Sequence, residues 1–509
     1  MAYDYAMLHR GRLAGAFPSS ASASTSDGSG ATSINKQPAI QRSNIEVKFH
    51  NHYRQKVYTS GSSVTGEVTI TTKREVPFDS VQIVLVGNTK TRVDGINSPR
   101  EVTHTFLKMT MPIPRSAYPV PRTLESGRTY TFPFHFVIPT YLTIGSCNHH
   151  IVDDQLPDHH VCLPPTMGKW EKDDMAPKMA QIEYSVKARI YRQPDLSQHK
   201  IKVMEASESF LVLPASAEHP PLNITKKDKL YKMRHSKTLR KGLLLGKLGR
   251  ITAEAAQPQA AVLLPDGTSI SKTETTIDLM FEPVALDVLP PKITAVSAKL
   301  IARTFYAGGS IAQLPNLGDW ANQVGAEKRG DYQTSVTLPS LVAKKDTGRL
   351  ARWSQHLSSA VRRDSGYSSG AEEEGRRGSN GSEQPSSPIY HTATLDVPID
   401  MAPLLAKRTP IPTFHSCIAS RVYTLQLTVS LNSGATTHAI HFSLPLQIVV
   451  AQDPSLALSD DGLPSFETAI QEAETEVDQF FRPRLMQVPE QSYIGNSSLP
   501  GYGDLVEMR

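Results

Sequence analysis

Cysteine and histidine side chains stand at a spacing that could bind a metal ion in one short segment. Cys147 and His149 are followed by His159 and Cys162. Two thiolates and two imidazoles are the donor set of many structural zinc sites. Paired histidines in exposed loops are more commonly solvated than ligated, so we expect neither a metal nor another cofactor here.

A peptide motif in the acidic C-terminal part, Leu499-Pro500-Gly501-Tyr502, could dock a partner. A Pro-x-Tyr core after an apolar residue is an extended ligand of the kind that WW domains bind, because proline presets the backbone and the ring fills an aromatic groove. A weaker copy has phenylalanine in place of tyrosine and loses the hydroxyl contact: Leu463, Pro464 and Phe466. We prefer to interpret this copy as the start of a helix.

Three serines in one segment fit the patterns of protein kinases. Ser365 and Ser379 each follow an Arg-Arg-x sequence, as basophilic kinases require, and Ser387 precedes a proline. The stretch 364–369 also resembles a phosphodegron. Each phosphate adds a charge of about −2 and creates acceptors for arginine-lined readers such as 14-3-3 proteins. We expect regulation by phosphorylation, with an inert spacer as the alternative.

Positive charge is concentrated between Lys226 and Arg250, where ten Lys and Arg residues stand against one acid, Asp228. Each cation near an anionic leaflet contributes about 1 kcal/mol, which favours contact with anionic lipid or acidic cytosolic tails. The alternative is a solvated linker, because glycines interrupt a continuous helix. Nucleic acid is disfavoured, since Tyr231 alone could stack on a base. The candidate contact residues are Lys226, Lys227, Lys229, Lys232, Arg234, Lys237, Arg240 and Lys241.

Composition limits the class of protein further. The chain has 509 residues, a formal net charge of +5 and three cysteines, too few for a disulfide framework. The N-terminal segment lacks an apolar signal core, and the longest apolar runs have only strand length. We therefore expect a cytoplasmic protein that is recruited peripherally to the plasma membrane and endosomes. Zinc-protease and phosphate-binding-loop motifs are missing, and we expect no enzymatic activity.

The elements that carry these residues are predicted to be β-strands. Residues 1–43 are rich in Ser, Ala, Gly and Thr and are predicted to be disordered. From residue 44 to 214, apolar residues alternate or run over strand lengths between Gly, Pro, Asn and Asp. This pattern predicts an antiparallel β-sandwich. Residues 215–250 are predicted to be a basic interdomain linker.

A second β-sandwich is predicted over 251–451, interrupted by a disordered insertion at 344–390 that is dominated by Ser, Gly, Glu and Arg. Its segment Val422–Leu431 alternates without a break, as a half-solvated sheet requires. Residues 452–509 form an acidic tail, in which apolar residues from Phe466 to Phe480 share one helical face. The fold class is therefore all-β, with two tandem immunoglobulin-like β-sandwiches.

Four stretches resemble the motifs of one protein family. Tyr58–Val68 has glycines that frame a tight turn, and Leu163–Gly168 is similar to a Leu-Pro-Pro-Ser loop with Thr in the Ser position. Pro290–Tyr306 and Pro412–Leu425 look like strands of a second domain. Together with two sandwiches and a Pro-Tyr tail, they resemble the arrestin family, specifically the fungal α-arrestins. The resemblance covers roughly 45–450.

The resemblance implies an adaptor. Leu499–Tyr502 is similar to the Leu-Pro-x-Tyr variant of the motif by which α-arrestins recruit WW-domain HECT-type ubiquitin ligases. The paired sandwiches are expected to bind the cytosolic tails of membrane transporters or receptors, so that the cargo is ubiquitylated, internalised by endocytosis and sorted. The alternative is an arrestin-fold signalling scaffold or vesicle-trafficking component that acts without ligase recruitment.

Overall fold

The described part of the chain is built almost entirely from β-strands. The structure, a computed structural model, describes residues 44–94, 98–193, 199–241, 246–322, 328–343, 349–357, 389–434 and 436–454. In these ranges the strands form two β-sandwiches, which confirms the all-β fold class. One short α-helix, α1, spans Leu156–His160 within them, and no helix there is long and apolar enough to cross a membrane.

The first sandwich pairs a three-stranded sheet, in the order β1-β3-β8, with a five-stranded sheet, in the order β2-β10-β9-β5-β6. Strands β4 and β7 form a separate pair. The bounds are β1 (Asn44–Phe49), β2 (Val57–Tyr58), β3 (Ser63–Thr71), β4 (Val76–Pro77), β5 (Ser80–Val93), β6 (Arg100–Thr110), β7 (Thr123–Leu124), β8 (Thr129–Val137), β9 (Ala180–Arg192) and β10 (Ile201–Val212). Short 3-10 turns lie at Arg115–Ala117 and Ile144–Ser146.

Strand β3 shows why this sequence forms a sandwich. Val64, Val68 and Ile70 are fully buried, whereas Thr65, Glu67 and Thr69 are partly exposed, as the two-residue period of a strand requires. Burying each of these side chains stabilises the fold by about 1.5–3 kcal/mol. Gly66 stands opposite Phe49 of β1, and a Cβ at Gly66 would lie 2.1 Å from the carbonyl oxygen of Lys48. The glycine therefore permits the close approach of β1 to β3.

The second sandwich pairs the sheet β11-β12-β14-β19-β18 with a six-stranded sheet built on β16-β15-β21-β20. In the latter, β17 pairs with β15 and β22 pairs with β21, and β13 and β23 form a separate parallel pair. The bounds are β11 (Arg234–Arg240), β12 (Lys247–Ala255), β13 (Ala261–Leu263), β14 (Thr273–Pro283), β15 (Lys292–Ala307), β16 (Arg329–Thr337), β17 (Leu341–Val342), β18 (Ser354–Leu357), β19 (Ile389–Ile399), β20 (Phe414–His415), β21 (Ala419–Asn432), β22 (Thr437–Leu446) and β23 (Ile448–Val450). Short 3-10 turns lie at Trp320–Asn322 and Ala402–Ala406.

Strand β21 differs from the half-solvated strand that its alternation predicts. Residues 419–425 are all buried, and alternation begins only at Gln426. The strand lies between β15 and β22, and its first half faces the other sandwich as well as its own core. Burial on both faces therefore comes from the contact between the sandwiches. The alternation of apolar and polar residues within one strand cannot predict such a contact.

Two segments that the sequence predicts to be irregular contain strands. The predicted linker 215–250 contains β11 and the start of β12, and β11 pairs with β12 along its whole length. The predicted disordered insertion 344–390 contains β18, which pairs with β19. Just before β18, Trp353 packs on Phe281 and donates its indole N–H to the Pro291 carbonyl at 2.7 Å. The prediction of disorder is therefore wrong for 349–357.

The cores of the two sandwiches meet at their contact. Tyr306, Ile411 and Phe414 come from the second sandwich but pack into the core of the first. Met175 and Leu213 come from the first sandwich and pack into the core of the second. The exchange of buried apolar side chains makes this contact continuous with both cores, and it positions the polar groups described next.

Candidate functional site at the interface and on a basic surface

A fully buried arginine joins the two sandwiches. Arg421 lies on β21, and its Nε donates to the Thr304 hydroxyl of β15 at 2.9 Å. Its two terminal nitrogens donate to the backbone carbonyls of Asp174 and Met175, at 3.0 and 3.1 Å. A guanidinium suits this position because its planar fork directs several donors at fixed angles. One side chain of the second sandwich thus binds the loop that precedes β9 of the first.

The loop that receives Arg421 is held in shape by the buried carboxylate of Asp174. That carboxylate accepts hydrogen bonds from the backbone N–H groups of Gly168 and Ala176, at 2.5 and 3.1 Å. Met175 has a positive φ of 60°, which turns the chain tightly at this point. Burial raises the pKa of Asp174, although the hydrogen bond from Gly168 and the charge of Arg421 oppose the rise. The hydrogen bond from Gly168 and the nearby positive charge of Arg421 therefore both favour the ionised form of this buried carboxyl group.

Further hydrogen bonds and ion pairs surround this contact. The Thr91 hydroxyl of β5 donates to the Ala307 carbonyl of β15 at 2.8 Å. Asp173 and Arg408 form an ion pair at 3.1 Å, and the backbone N–H of Thr409 donates to the Asp173 carbonyl. Because these bonds accompany an apolar contact, the two sandwiches have a defined relative position. The pair can act as one scaffold that presents surfaces from both.

All eight cationic residues predicted to contact a partner are exposed, and we call them the basic surface. Arg234, Lys237 and Arg240 lie on β11, the edge strand of its sheet, and the other five flank that strand. The single acid of this run, Asp228, turns inward and accepts a hydrogen bond from the Gly318 N–H at 2.6 Å.

The basic surface is only partly neutralised by neighbouring acids. Lys229 pairs with Asp319, and Arg234 lies 3.8 Å from Glu254. Six of its members have no ion pair with any described residue: Lys226, Lys227, Lys232, Lys237, Arg240 and Lys241. Exposed cations without an ion pair, on and beside a fixed strand, retain their field toward solvent, so this surface suits an anionic partner.

A second polar group at the interface consists of cysteines and histidines. Cys147 Sγ lies 3.3 Å and Cys417 Sγ 3.9 Å from Nδ1 of His160, which is buried. The rings of His149 and His160 are 5.2 Å apart. Burial, and then His149, lowers the pKa of His160 to about 3, and burial raises the pKa of Cys417. The structure thus gathers Cys147, His149, His160 and Cys417, whose ligand atoms all lie within 4.8 Å of one another.

Two of the four predicted donors lie outside this cluster. The neighbours His159 and His160 both belong to α1, and adjacent positions of a helix point about 100° apart. His160 therefore faces the cysteines, while His159 packs against His219 and His415, with ring centroids 4.1 and 4.8 Å away. Cys162 donates to the Asp158 carbonyl instead. Of the four candidate donors in the sequence, Cys147 and His149 lie in this cluster, whereas its other two members, His160 and Cys417, were not among the candidates.

A cavity of about 210 Å³ lies beside the cluster, between the sandwiches. His159, His219 and His415 line it together with Tyr231 and Tyr423. Burial, followed by the neighbouring His219, lowers the pKa of His159 to about 4, and burial lowers the pKa of His415 well below its usual value. These imidazoles are uncharged at neutral pH, so the cavity does not attract anions through them.

The remaining predicted site residues lie outside the described residues. They are the docking motif Leu499, Pro500 and Tyr502, its weaker copy Leu463, Pro464 and Phe466, and the phosphorylation candidates Ser365, Ser379 and Ser387. The predicted disordered segment 1–43 and the amphipathic helix of the tail also lie outside them.

Comparison with known proteins identifies the first sandwich. Residues 45–212 match the family model described as the arrestin (or S-antigen) N-terminal domain. That range runs from the first residues of β1 to the end of β10, so the match covers the whole first sandwich. No curated protein matches the chain. The match supports the predicted resemblance to arrestins at the level of the family.

Proposed function

We propose that this chain is a non-enzymatic adaptor of the α-arrestin type, which brings a HECT-type ubiquitin ligase to membrane transporters or receptors. The observation that carries the proposal is the match of 45–212 to the arrestin N-terminal domain. A second β-sandwich follows and is joined to the first through Arg421. A rigid pair of this kind has extended surfaces for a partner.

The basic surface is the proposed contact with cargo and membrane. Its exposed cations lie on and beside one edge strand, and Arg234 and Arg240, six residues apart, point to the same face of that strand. Each Lys or Arg close to an anionic leaflet contributes about 1 kcal/mol. Eight of them give useful affinity for anionic lipid or for acidic cytosolic tails of transporters, even after screening by salt. Charge attraction of this kind does not distinguish one anionic surface from another, so recognition of a particular cargo requires a second contact with the cargo itself.

The tail is the proposed contact with the ligase. Leu499, Pro500 and Tyr502 fit the WW-domain groove, and Leu463, Pro464 and Phe466 are a weaker copy. A cargo contact and a ligase contact on one chain raise the effective concentration of each partner at the other. The ligase then acts on the bound cargo, which is ubiquitylated and internalised. The chain is accordingly placed in the cytoplasm and, when cargo is engaged, at the plasma membrane and endosomes.

Phosphorylation is the proposed regulator of this adaptor. Ser365, Ser379 and Ser387 stand in sequence contexts that basophilic or proline-directed kinases use. A phosphate following two arginines creates a ligand for arginine-lined readers such as 14-3-3 proteins. Binding of such a protein would compete with cargo or ligase for access to the adaptor.

The test is co-precipitation of WW-domain HECT-type ligases with the full chain from cells. The proposal predicts that Tyr502→Ala combined with Phe466→Ala abolishes recovery of the ligase, because both aromatic anchors are lost. Tyr493→Ala is the matched control, since Tyr493 lies in the same tail but follows Gln-Ser rather than Pro-x. Equal recovery of ligase with the double variant and the control would refute ligase docking through these motifs.

A second candidate is a signalling scaffold or vesicle-trafficking component that acts without a ligase. The observation that favours it is the location of the basic surface and the interface, which both lie within 44–454 and so do not need the tail. Deletion of 455–509 separates the two functions. If the chain is a ligase adaptor, the truncated chain should no longer support removal of cargo from the membrane. If it is a scaffold, the truncated chain should retain its activity.

A further inference from the structure

Four potential metal ligands converge at the interface from segments distant in sequence. Cys147, His149 and His160 belong to the segment between β8 and β9, and Cys417 lies in the turn between β20 and β21. The buried positions are His160 and Cys417, while Cys147 and His149 are half-buried. The group is therefore sealed on one side and accessible to a small ion on the other.

The segments that carry these ligands are fixed by backbone hydrogen bonds. The base of the first segment is closed where the Leu142 N–H donates to the Val161 carbonyl at 2.7 Å. Within it, the Val152 N–H donates to the Ala312 carbonyl, and the adjacent Ile311 N–H donates to the carbonyl of Cys417 itself. The Cys417 backbone and the loop of the first sandwich are thus attached to the same short stretch. Ligands supported in this way keep their spacing.

The hydrogen bonds of His149 leave one ring nitrogen available for a metal. Its Nδ1 lies 3.1 Å from the His150 carbonyl, which can only accept, so Nδ1 carries the proton. The lone pair is then on Nε2, and this atom is buried without a hydrogen-bond partner among the described residues. An imidazole whose distal N–H is held by a carbonyl is the usual arrangement of a metal-bound histidine.

The two thiols compete for a single acceptor. Cys147 and Cys417 both approach Nδ1 of His160, and in the tautomer with its proton on Nε2 this atom has one lone pair and can accept one S–H. A metal ion between the four donors would use that lone pair, both sulfurs and His149 Nε2. Zn–S and Zn–N bonds of about 2.3 and 2.0 Å place tetrahedral donors about 3.3–3.8 Å apart. The observed limit of 4.8 Å exceeds that spacing by about 1–1.5 Å, so side-chain shifts of that size are sufficient.

We infer that Cys147, His149, His160 and Cys417 bind one Zn²⁺ ion and that this ion clips the two sandwiches together. Binding converts two thiols to thiolates and releases two protons, so the site with its ion is neutral. Three ligands come from the first sandwich and one from the second, so the ion adds a bond across the interface beside Arg421. This inference departs from our expectation of no metal, and it does not depend on the adaptor function.

The test is the metal content of the full chain, purified under reducing conditions without added metal and measured by inductively coupled plasma mass spectrometry. The expected result is about one zinc per chain. Cys417→Ser should lose most of the zinc, whereas Cys162→Ser should keep it, because Cys162 lies outside the cluster. His149→Ala should lose zinc and His150→Ala, its exposed neighbour, should not.

A second measurement guards against misfolding of the buried Cys417 variant. Cys147→Ser removes a half-buried ligand, and Co²⁺ loaded into the chelated wild-type chain should show the visible absorption of a tetrahedral thiolate site that Cys147→Ser lacks. A zinc content of the wild-type chain no higher than the buffer background would overturn the inference. Equal zinc contents of the Cys147→Ser and Cys162→Ser variants would also overturn it. So would a Cys147–Cys417 disulfide in peptide maps of protein alkylated during cell lysis.

Discussion

Replacing the buried arginine tests the interface most sharply. In Arg421→Met, three hydrogen bonds are lost, and the carbonyls of Asp174 and Met175 remain buried without their donor. Asp174 also loses its positive neighbour in an apolar setting that already raises its pKa. Methionine fills much of the same volume, so the loss is mainly electrostatic rather than a cavity.

The size of the expected destabilisation can be estimated from these contacts. A hydrogen bond to a charged group contributes about 1.5–3 kcal/mol, so the loss of the two bonds to the buried carbonyls of Asp174 and Met175 costs about 3–6 kcal/mol of unfolding free energy. In a domain of about 150–250 residues, each kcal/mol lowers Tm by about 2–4 °C. We therefore expect Arg421→Met to lower Tm by about 6–24 °C. The difference from wild type should shrink as pH falls, because a protonated Asp174 no longer needs a countercharge.

The matched control is Arg303→Met. Arg303 precedes Thr304 on β15, so it points to the opposite face of the same sheet and forms a partly exposed ion pair with Asp331 at 2.8 Å. Exposed pairs contribute about 0–1 kcal/mol, so its Tm should change by no more than about 4 °C. The assay is differential scanning calorimetry of the full chain at pH 7 and pH 5. Equal Tm values for the two variants would show that Arg421 does not hold the interface.

Three further predictions concern other described residues. Gly66→Ala should destabilise the first sandwich by about 1–3 kcal/mol in chemical denaturation, because its Cβ would meet the Lys48 carbonyl oxygen, whereas Gly145→Ala, with nothing within 4 Å, should be neutral. Hydrogen bonds from Lys202 and then Arg189 lower the pKa of Glu205 to about 2, so its charged form stabilises the fold above the usual carboxyl pKa and loses this effect as pH falls toward 2. Glu205→Gln should therefore lower Tm more at pH 7 than at pH 3, and an equal change at both would contradict the assignment. Flotation with vesicles containing anionic lipid should fall several-fold, and the salt dependence of the remaining binding should become weaker, when three lysines of the basic surface are changed to glutamate: Lys226, Lys227 and Lys232.

Most of the fold could be predicted because its signal is local. Strands such as β3 and β9 bury alternate residues, and this two-residue period of apolar side chains can be recognised from a few consecutive positions of the sequence. The strand β11 could not be predicted in this way. Of its seven residues only Leu239 is buried, and its charged sequence is typical of a solvated linker. It becomes a strand because β12 offers it a complete register of partners.

The site was harder to predict because its contacts are remote in sequence. Arg421 lies 246 positions from Met175, and Cys417 lies 257 positions from His160. A single sequence does not indicate that such residues meet. For the histidine pair, only the helical geometry of α1 decides that His160 rather than His159 faces the cysteines.

The proposed adaptor function makes its most direct prediction about cargo at the cell surface. Quantitative surface proteomics should compare cells that lack this chain with the same cells expressing the wild-type chain or the combined Tyr502→Ala and Phe466→Ala variant. The proposal predicts a defined set of transporters or receptors that accumulate without the chain, decline with the wild type and persist with the variant. A surface proteome that does not change on deletion, or that the variant restores as fully as the wild type, would contradict it.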